Sequence, residues 1–195
     1  ALFFFMNVSI ASFYLGYRED RKYYFLCYAA AALAVLTKGP IGLALPGLSA
    51  ILFLLWRRDL REMLHVRLIS GMVLFLLLCA PWYIYMTAYH GTDFLLNFFG
   101  VHNYLRVTVA EHQSTAHWWF YIVMYFAGFF PWSFFMLSAL FRKWKEHGLS
   151  FARADTATQF LLVWGVTVLL VFQLIATKYT TYTFPSLFAF AILTA

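Results

Sequence analysis

Lysine and arginine alternate in density along this chain, and the alternation fixes how it can fold. Arg18, Arg21 and Lys22 fall in the first gap between apolar runs. Arg57, Arg58, Arg61 and Arg67 fall in the third, and Arg142, Lys143, Lys145 and Arg153 in the fifth. The intervening gaps carry one cation each, Lys38, Arg106 and Lys178. In a membrane protein the cation-rich connections stay in the cytoplasm, so this pattern predicts a helix bundle that crosses the bilayer repeatedly. The three lone cations are then expected on the opposite, outer face.

Composition agrees with that reading. Charged residues make up 11% of the chain against 64% apolar and 22% aromatic, whereas soluble domains carry about 25% charge. The net charge of +6 belongs to the cation-rich connections, so nucleic acid is not expected as a partner. Cys27 and Cys79 lie inside apolar runs with no metal or redox spacing and read as small buried hydrophobes. The chain opens on Ala1 and closes on Ala195 inside apolar runs, which reads as an internal segment truncated at both ends.

Apolar runs at about 1–17, 23–37, 40–56, 68–89, 118–141, 157–176 and 183–195 predict about seven helices, most of spanning length. The expected fold class is all-α, a polytopic transmembrane bundle in which residues 1–195 form part of one domain. Thr37-Lys38-Gly39-Pro40 predicts a sharp reversal between the second and third runs. Pro81-Trp82 and Pro131-Trp132 predict kinks with interface anchors. Gly39, Gly42 and Gly47 predict close helix packing.

Residues 90–117 form a long polar connection, and such loops are often functional. Within it Phe94, Phe98, Val101 and Leu105 recur at helical spacing, which predicts an amphipathic juxtamembrane helix with His102, Asn103 and Arg106 on its other side.

The outer face thus gathers Lys38, then His102, Asn103 and Arg106, then Glu111, His112 and His117, and finally Lys178, Tyr179 and Tyr182. A cation beside apolar helix ends is partly desolvated, which strengthens its pairing with an anion. A lipid phosphate suits this set, because arginine binds it bidentately while lysine and tyrosine add single contacts. The competing reading is that each cation snorkels to headgroups without specificity. His102, Glu111 and His112 lack a short metal-ligand spacing, and neither a metal nor an organic cofactor is expected.

In order, "LTKGPIGLALPG", "FFGVHNYLR" followed by "EH" and "WWFY", "GFFPW" and "TKYTTYTFP" resemble the membrane glycosyltransferases that use polyprenyl-phosphate sugars. The resemblance is to the bacterial aminoarabinose transferase and protein O-mannosyltransferase group, with its multi-spanning GT-C architecture. It implies transfer of a sugar from a lipid-phosphate carrier to a lipid, protein or glycan acceptor at the outer face of the bacterial inner membrane, with inversion. It also implies that Arg106 and Tyr182 lie near the carrier phosphate, with Lys38 and Lys178 at family lysine positions. His102, Asn103, Glu111 and His112 are assigned to the substrate. The expected general base is an Asp upstream of Ala1, so no catalytic residue is named. A transporter or flippase for an anionic lipid or solute is the alternative, and it would want charges near the bilayer midplane.

Overall fold

A computed structural model describes residues 1–105, 108–109, 117–147 and 154–194. All regular structure among them is helical. The chain divides into two compact units, Ala1–Val109 and Ala110–Ala195.

The first unit holds α1 (Leu2–Arg18), α2 (Tyr23–Lys38) and α3 (Ile41–Arg57). A 3-10 turn (Leu60–Leu64), α4 (Leu68–His90) and α5 (Thr92–Leu95) follow, and α5 runs into a π-helix (Leu96–Leu105). At its centre α2 packs against α1, α3 and α4. Its alanines explain this position, because Ala30, Ala31, Ala32 and Ala34 are all buried and let neighbouring backbones approach. Polar bonds tie the bundle together. Ser9 Oγ donates to the Cys27 carbonyl at 3.0 Å, Cys79 Sγ to the Ala32 carbonyl at 3.2 Å, and Tyr83 OH to the Val35 carbonyl at 3.3 Å. Neither cysteine is in a disulfide.

The two ends of this unit differ in charge, as the cation pattern predicts. Tyr17 at the end of α1 bonds Asp59, and Tyr24 at the start of α2 bonds Glu62, so the first and third connections share one end. Tyr83 bonds α2 three residues before Lys38 and packs on Phe94 and Phe98, so the Lys38 turn and the helix from Thr92 share the other.

The reversal at 37–40 forms as expected. Gly39 sits at φ 89°, a left-handed value that glycine tolerates, and its N–H bonds the Val35 carbonyl at 2.7 Å. Pro40 opens α3. Gly42 allows the close approach, since a Cβ there would come within 2.5 Å of the Ala34 carbonyl carbon. Gly47 does not serve this purpose, because a Cβ there meets nothing within 4 Å.

The second unit holds α6 (Phe120–Gly128), α7 (Trp132–His147), α8 (Thr156–Leu174), a 3-10 turn (Thr180–Thr183) and α9 (Phe184–Thr194). Its core is Tyr125, Met136, Leu162, Phe190 and Leu193. Asp155 caps α8 by accepting the Thr158 N–H at 3.0 Å. Lys143 of α7 donates to Thr158 Oγ1 at 3.1 Å, so the basic connection lies at the α8 end opposite Lys178.

Four expectations are corrected. The run 118–141 is two helices bent by 108°, because Gly128 ends α6 and Pro131 lacks the N–H that would continue it. Pro81, by contrast, stays inside a continuous α4. Among the described residues two single helices, α4 and α8, are long and apolar enough to cross a bilayer, α6 and α7 only as a bent pair. The helices α1, α2 and α3 have 17, 16 and 17 residues, at the short edge of the range that spans a core of about 30 Å. The segment from Thr92 is helical, but its wider π turns bring Phe99 onto Tyr83 beside Phe94 and Phe98. Val101 and Leu105 stay exposed.

Replacing Gly42 by Ala forces a methyl into the α2 backbone and is expected to cost about 1–3 kcal/mol. Gly47→Ala has room and is expected to change stability by about 0.5 kcal/mol or less. Thermal unfolding of the detergent-solubilised protein distinguishes the two, and equal midpoints for both variants contradict the packing described for Gly42.

Candidate functional site

Helix α8 ends where Ile175 turns into extended backbone, and its last carbonyls lose their intrahelical partners. Lys178 reaches back to satisfy two of them, donating to the Gln173 carbonyl at 2.8 Å and the Ile175 carbonyl at 3.0 Å. The residue is only 6% exposed. Burial pulls its ammonium below the usual lysine range, while the negative end of the α8 dipole favours the charge. The same ammonium lies 5.8 Å from the centroid of the Tyr121 ring.

Tyr121 joins the two motifs of this unit. Its hydroxyl donates to the Tyr179 carbonyl and accepts the Tyr179 N–H, each at 3.2 Å. Tyr179 packs on Tyr182 at 5.2 Å, and Tyr182 on Phe172 of α8 at 4.8 Å. Tyr182 is buried within the 3-10 turn, and Ser186 Oγ fixes the end of that turn by bonding the Thr183 carbonyl at 2.5 Å. Tyr125 OH shares a 2.8 Å hydrogen bond with Ser186. Gln173 Nε2 donates to the Trp118 carbonyl at 2.7 Å, and His117 stacks on Trp119 at 5.1 Å.

Beside this cluster lies an apolar cavity of about 540 Å³, lined among others by Trp118, Tyr121, Tyr125, Met136, Leu169 and Gln173. Tyr121 is common to both. Its ring meets a cation and also lines a space suited to hydrocarbon, an arrangement that fits an amphiphile with an anionic head.

The structure therefore brings Lys178, Tyr179 and Tyr182 together with Tyr121, Gln173 and Trp118. In the first unit Lys38 is exposed at the end of α2, and His102 and Asn103 lie on the π-helix at that same end. Arg106, Glu111 and His112 lie outside the described residues. Among the described residues no three His, Cys, Asp or Glu side chains converge as metal ligands. Sequence reasoning missed Tyr121 and Gln173. In the sequence Tyr121 stands only as the last residue of "WWFY", and the polar Gln173 near the end of an apolar run was the unused signal.

Comparison with known proteins agrees with the motifs. A profile described as dolichyl-phosphate-mannose-protein mannosyltransferase matches residues 1–85. The undecaprenyl phosphate-alpha-4-amino-4-deoxy-L-arabinose arabinosyl transferase of Pseudomonas aeruginosa is 30% identical over 195 residues, 97% of this chain and 34% of that protein. The transferase of the same description from Erwinia tasmaniensis is 32% identical over 169 residues, 85% of this chain and 29% of that one. The chain belongs to this aminoarabinose transferase and mannosyltransferase group.

The group's fold is present as well. The crystal structure of ArnT from Cupriavidus metallidurans bound to undecaprenyl phosphate superposes with a TM-score of 0.84 at 24% identity, over 99% of this chain and 35% of that one. Its apo form gives 0.81 at 23% identity. The chain spans about a third of the length of the transferases it matches.

Tyr121→Phe removes both bonds to the Tyr179 backbone and is expected to cost about 1–3 kcal/mol. Amide hydrogen exchange at Tyr179 is expected to accelerate with it, and unchanged exchange contradicts the role given to the hydroxyl.

Proposed function

We propose that the chain supplies part of a membrane glycosyltransferase that moves a sugar from a polyprenyl-phosphate carrier to a lipid, protein or glycan acceptor. The observation that carries this reading is the 30% identity, over 97% of the chain, to a protein named as an undecaprenyl-phosphate-linked aminoarabinose transferase. The Lys178 cluster and its neighbouring cavity support it, since they pair a cation with an apolar space. The reaction is assigned to the outer face of the bacterial inner membrane, the side to which the cation pattern assigns Lys38, Arg106 and Lys178, and residues 90–117 to an outer loop.

The chemistry follows from charge. As the glycosidic bond breaks with inversion, the carrier's phosphodiester becomes a phosphomonoester and gains negative charge. Cations aimed at it hold the transition state more tightly than the ground state. Arg106 is assigned a bidentate contact and Tyr182 a hydroxyl, and Lys38 stands at a family lysine position. Lys178 acts partly by cancelling the partial negative charge of the α8 C-terminus, which would otherwise repel a phosphate. His102, Asn103, Glu111 and His112 are assigned to substrate binding. The general base is assigned to a carboxylate outside residues 1–195.

Transfer from an undecaprenyl-phosphate sugar by the full-length protein tests this reading. Arg106→Ala is expected to slow it about ten- to thousandfold, the scale for losing one charge-stabilising donor. Absence of transfer from any polyprenyl-phosphate sugar by the wild type contradicts the proposal.

The depressed pKa of Lys178 adds a pH signature. Its charge is complete at low pH and is lost as pH rises through a folded-state value below 10.5. Undecaprenyl phosphate binding is therefore expected to weaken before an ordinary lysine would titrate. Lys178→Arg keeps its charge and is expected to move that decline to higher pH. An unaltered pH profile in the variant removes Lys178 from phosphate binding.

A further inference from the structure

The segment from Arg57 to Arg67, at the basic end of the first unit, carries four arginines, two carboxylates and a histidine. In sequence these charges are interleaved, and ion pairing along the segment would be the simplest outcome. The two carboxylates take tyrosine hydroxyls as partners instead. Asp59 and Glu62 turn toward the bundle, half-buried, where the Tyr17 hydroxyl donates to Asp59 at 3.1 Å and the Tyr24 hydroxyl to Glu62 at 2.8 Å. His65 Nδ1 stands 3.6 Å from Glu62. Arg57, Arg58, Arg61 and Arg67 are all exposed.

Backbone strain marks the ends of the same segment. Arg58 (φ 54°, ψ 29°) and Arg67 (φ 51°, ψ 43°) both adopt the left-handed conformation, and they are the two non-glycine residues with positive φ among the described residues. Neither is a residue type that favours this region, and such outliers persist where the surroundings over-determine them.

Under the segment lies a second apolar cavity, of about 290 Å³, at the lower end of the range for ligand sites. Met63, Val66 and Leu68 form part of its wall from above, with Cys27 of α2 and Gly47 of α3 among the residues below. Arg67 stands between two wall residues, its guanidinium 5.2 Å from the Phe25 ring centroid. Gly47 has open space where a side chain would be.

We propose that this end binds an anionic phospholipid, with its phosphate on Arg58, Arg61 and Arg67 and an acyl chain in the cavity beneath. Charge complementarity selects the occupant. A soluble anion would use the arginines and leave the cavity idle, and a zwitterionic lipid would fill the cavity but bring its own cation to an end where Arg18, Arg21, Lys22 and the four arginines of this segment outnumber the exposed carboxylates Glu19 and Asp20. Basic pockets at the ends of membrane helices bind acidic headgroups on this principle. The site is separate from the Lys178 cluster and does not depend on the transferase reading.

Native mass spectrometry of the full-length protein in detergent, with added dioleoyl-phosphatidylglycerol or dioleoyl-phosphatidylcholine, tests it. Phosphatidylglycerol adducts are expected to exceed phosphatidylcholine adducts, and Arg61→Gln and Arg67→Gln to reduce them about fivefold each. Gly47→Leu, which fills the cavity with all arginines in place, is expected to reduce them as well, and millimolar inorganic phosphate to leave them intact. Gel filtration reports whether each variant stays folded, and Arg61, being exposed, is the substitution least able to disturb the bundle. Equal adducts with both lipids, indifference to the arginine changes, or full competition by phosphate each overturn the site. So does a Gly47→Leu protein that binds as well as wild type, because the arginines then act as an unstructured surface charge.

Discussion

Every interruption of a helix in an apolar medium exposes backbone groups that water cannot reach, and those groups must find partners within the protein. The polar residues of this chain are distributed accordingly. Thr37 Oγ1 bonds the Ala34 carbonyl at the α2 reversal, and Thr87 Oγ1 bonds the Tyr83 carbonyl near the end of α4. Lys178, Tyr121, Ser186 and Gln173 all serve main-chain groups around the break between α8 and α9 or at the start of α6. Helix ends thus collect hydroxyls and a cation for structural reasons. The same groups, held at known positions beside hydrocarbon space, are what recognition of a lipid phosphate requires. In the proposed transferase Lys178 joins the two roles, bonding the carbonyls at the α8 end and lending its charge to phosphate binding.

Close packing sets how near these groups can come. The small residues of α2 draw three helices onto it, and Gly16, Gly42 and Gly71 leave space that the Tyr24 ring, the Ala34 backbone and the Tyr28 ring occupy. In the second unit Gly165 does the same for the Phe190 ring. The outward surfaces remain apolar. The most hydrophobic window of α4 is 17% buried while that of α8 is 56% buried, so α4 offers its length to lipid or further protein and α8 is the spine of its unit.

Much of this architecture was legible from residue order. Apolar runs placed most helix ends within two residues, and the spacing of lysine and arginine assigned the connections of each unit to opposite ends. The motifs named the family. Other features depend on contacts distant in sequence and had no local signature. Nothing near Asp59 or Glu62 announces that Tyr17 and Tyr24 will draw them inward. The break at 129–131 follows from Gly128 and Pro131 acting together, whereas Pro81 alone leaves α4 continuous. Helical spacing assumed 3.6 residues per turn, so it could not anticipate a π-helix that brings Phe99 onto Tyr83. Lys178 was read as a cation facing outward, and only the extended backbone at Ile175 turns it back onto its own helix.

In the proposed transferase the carrier's phosphate lies at the cluster of Lys178, Tyr121 and Tyr182, with its chain in the adjoining cavity. Photocrosslinking with a diazirine-bearing undecaprenyl phosphate analogue in the full-length protein, followed by peptide mapping, addresses it directly. The account predicts labels on the cavity wall between Trp118 and Phe126 and between Leu169 and Gln173, competed by unlabelled carrier. Labels confined to other segments, or labelling of that wall that unlabelled carrier does not reduce, would contradict it.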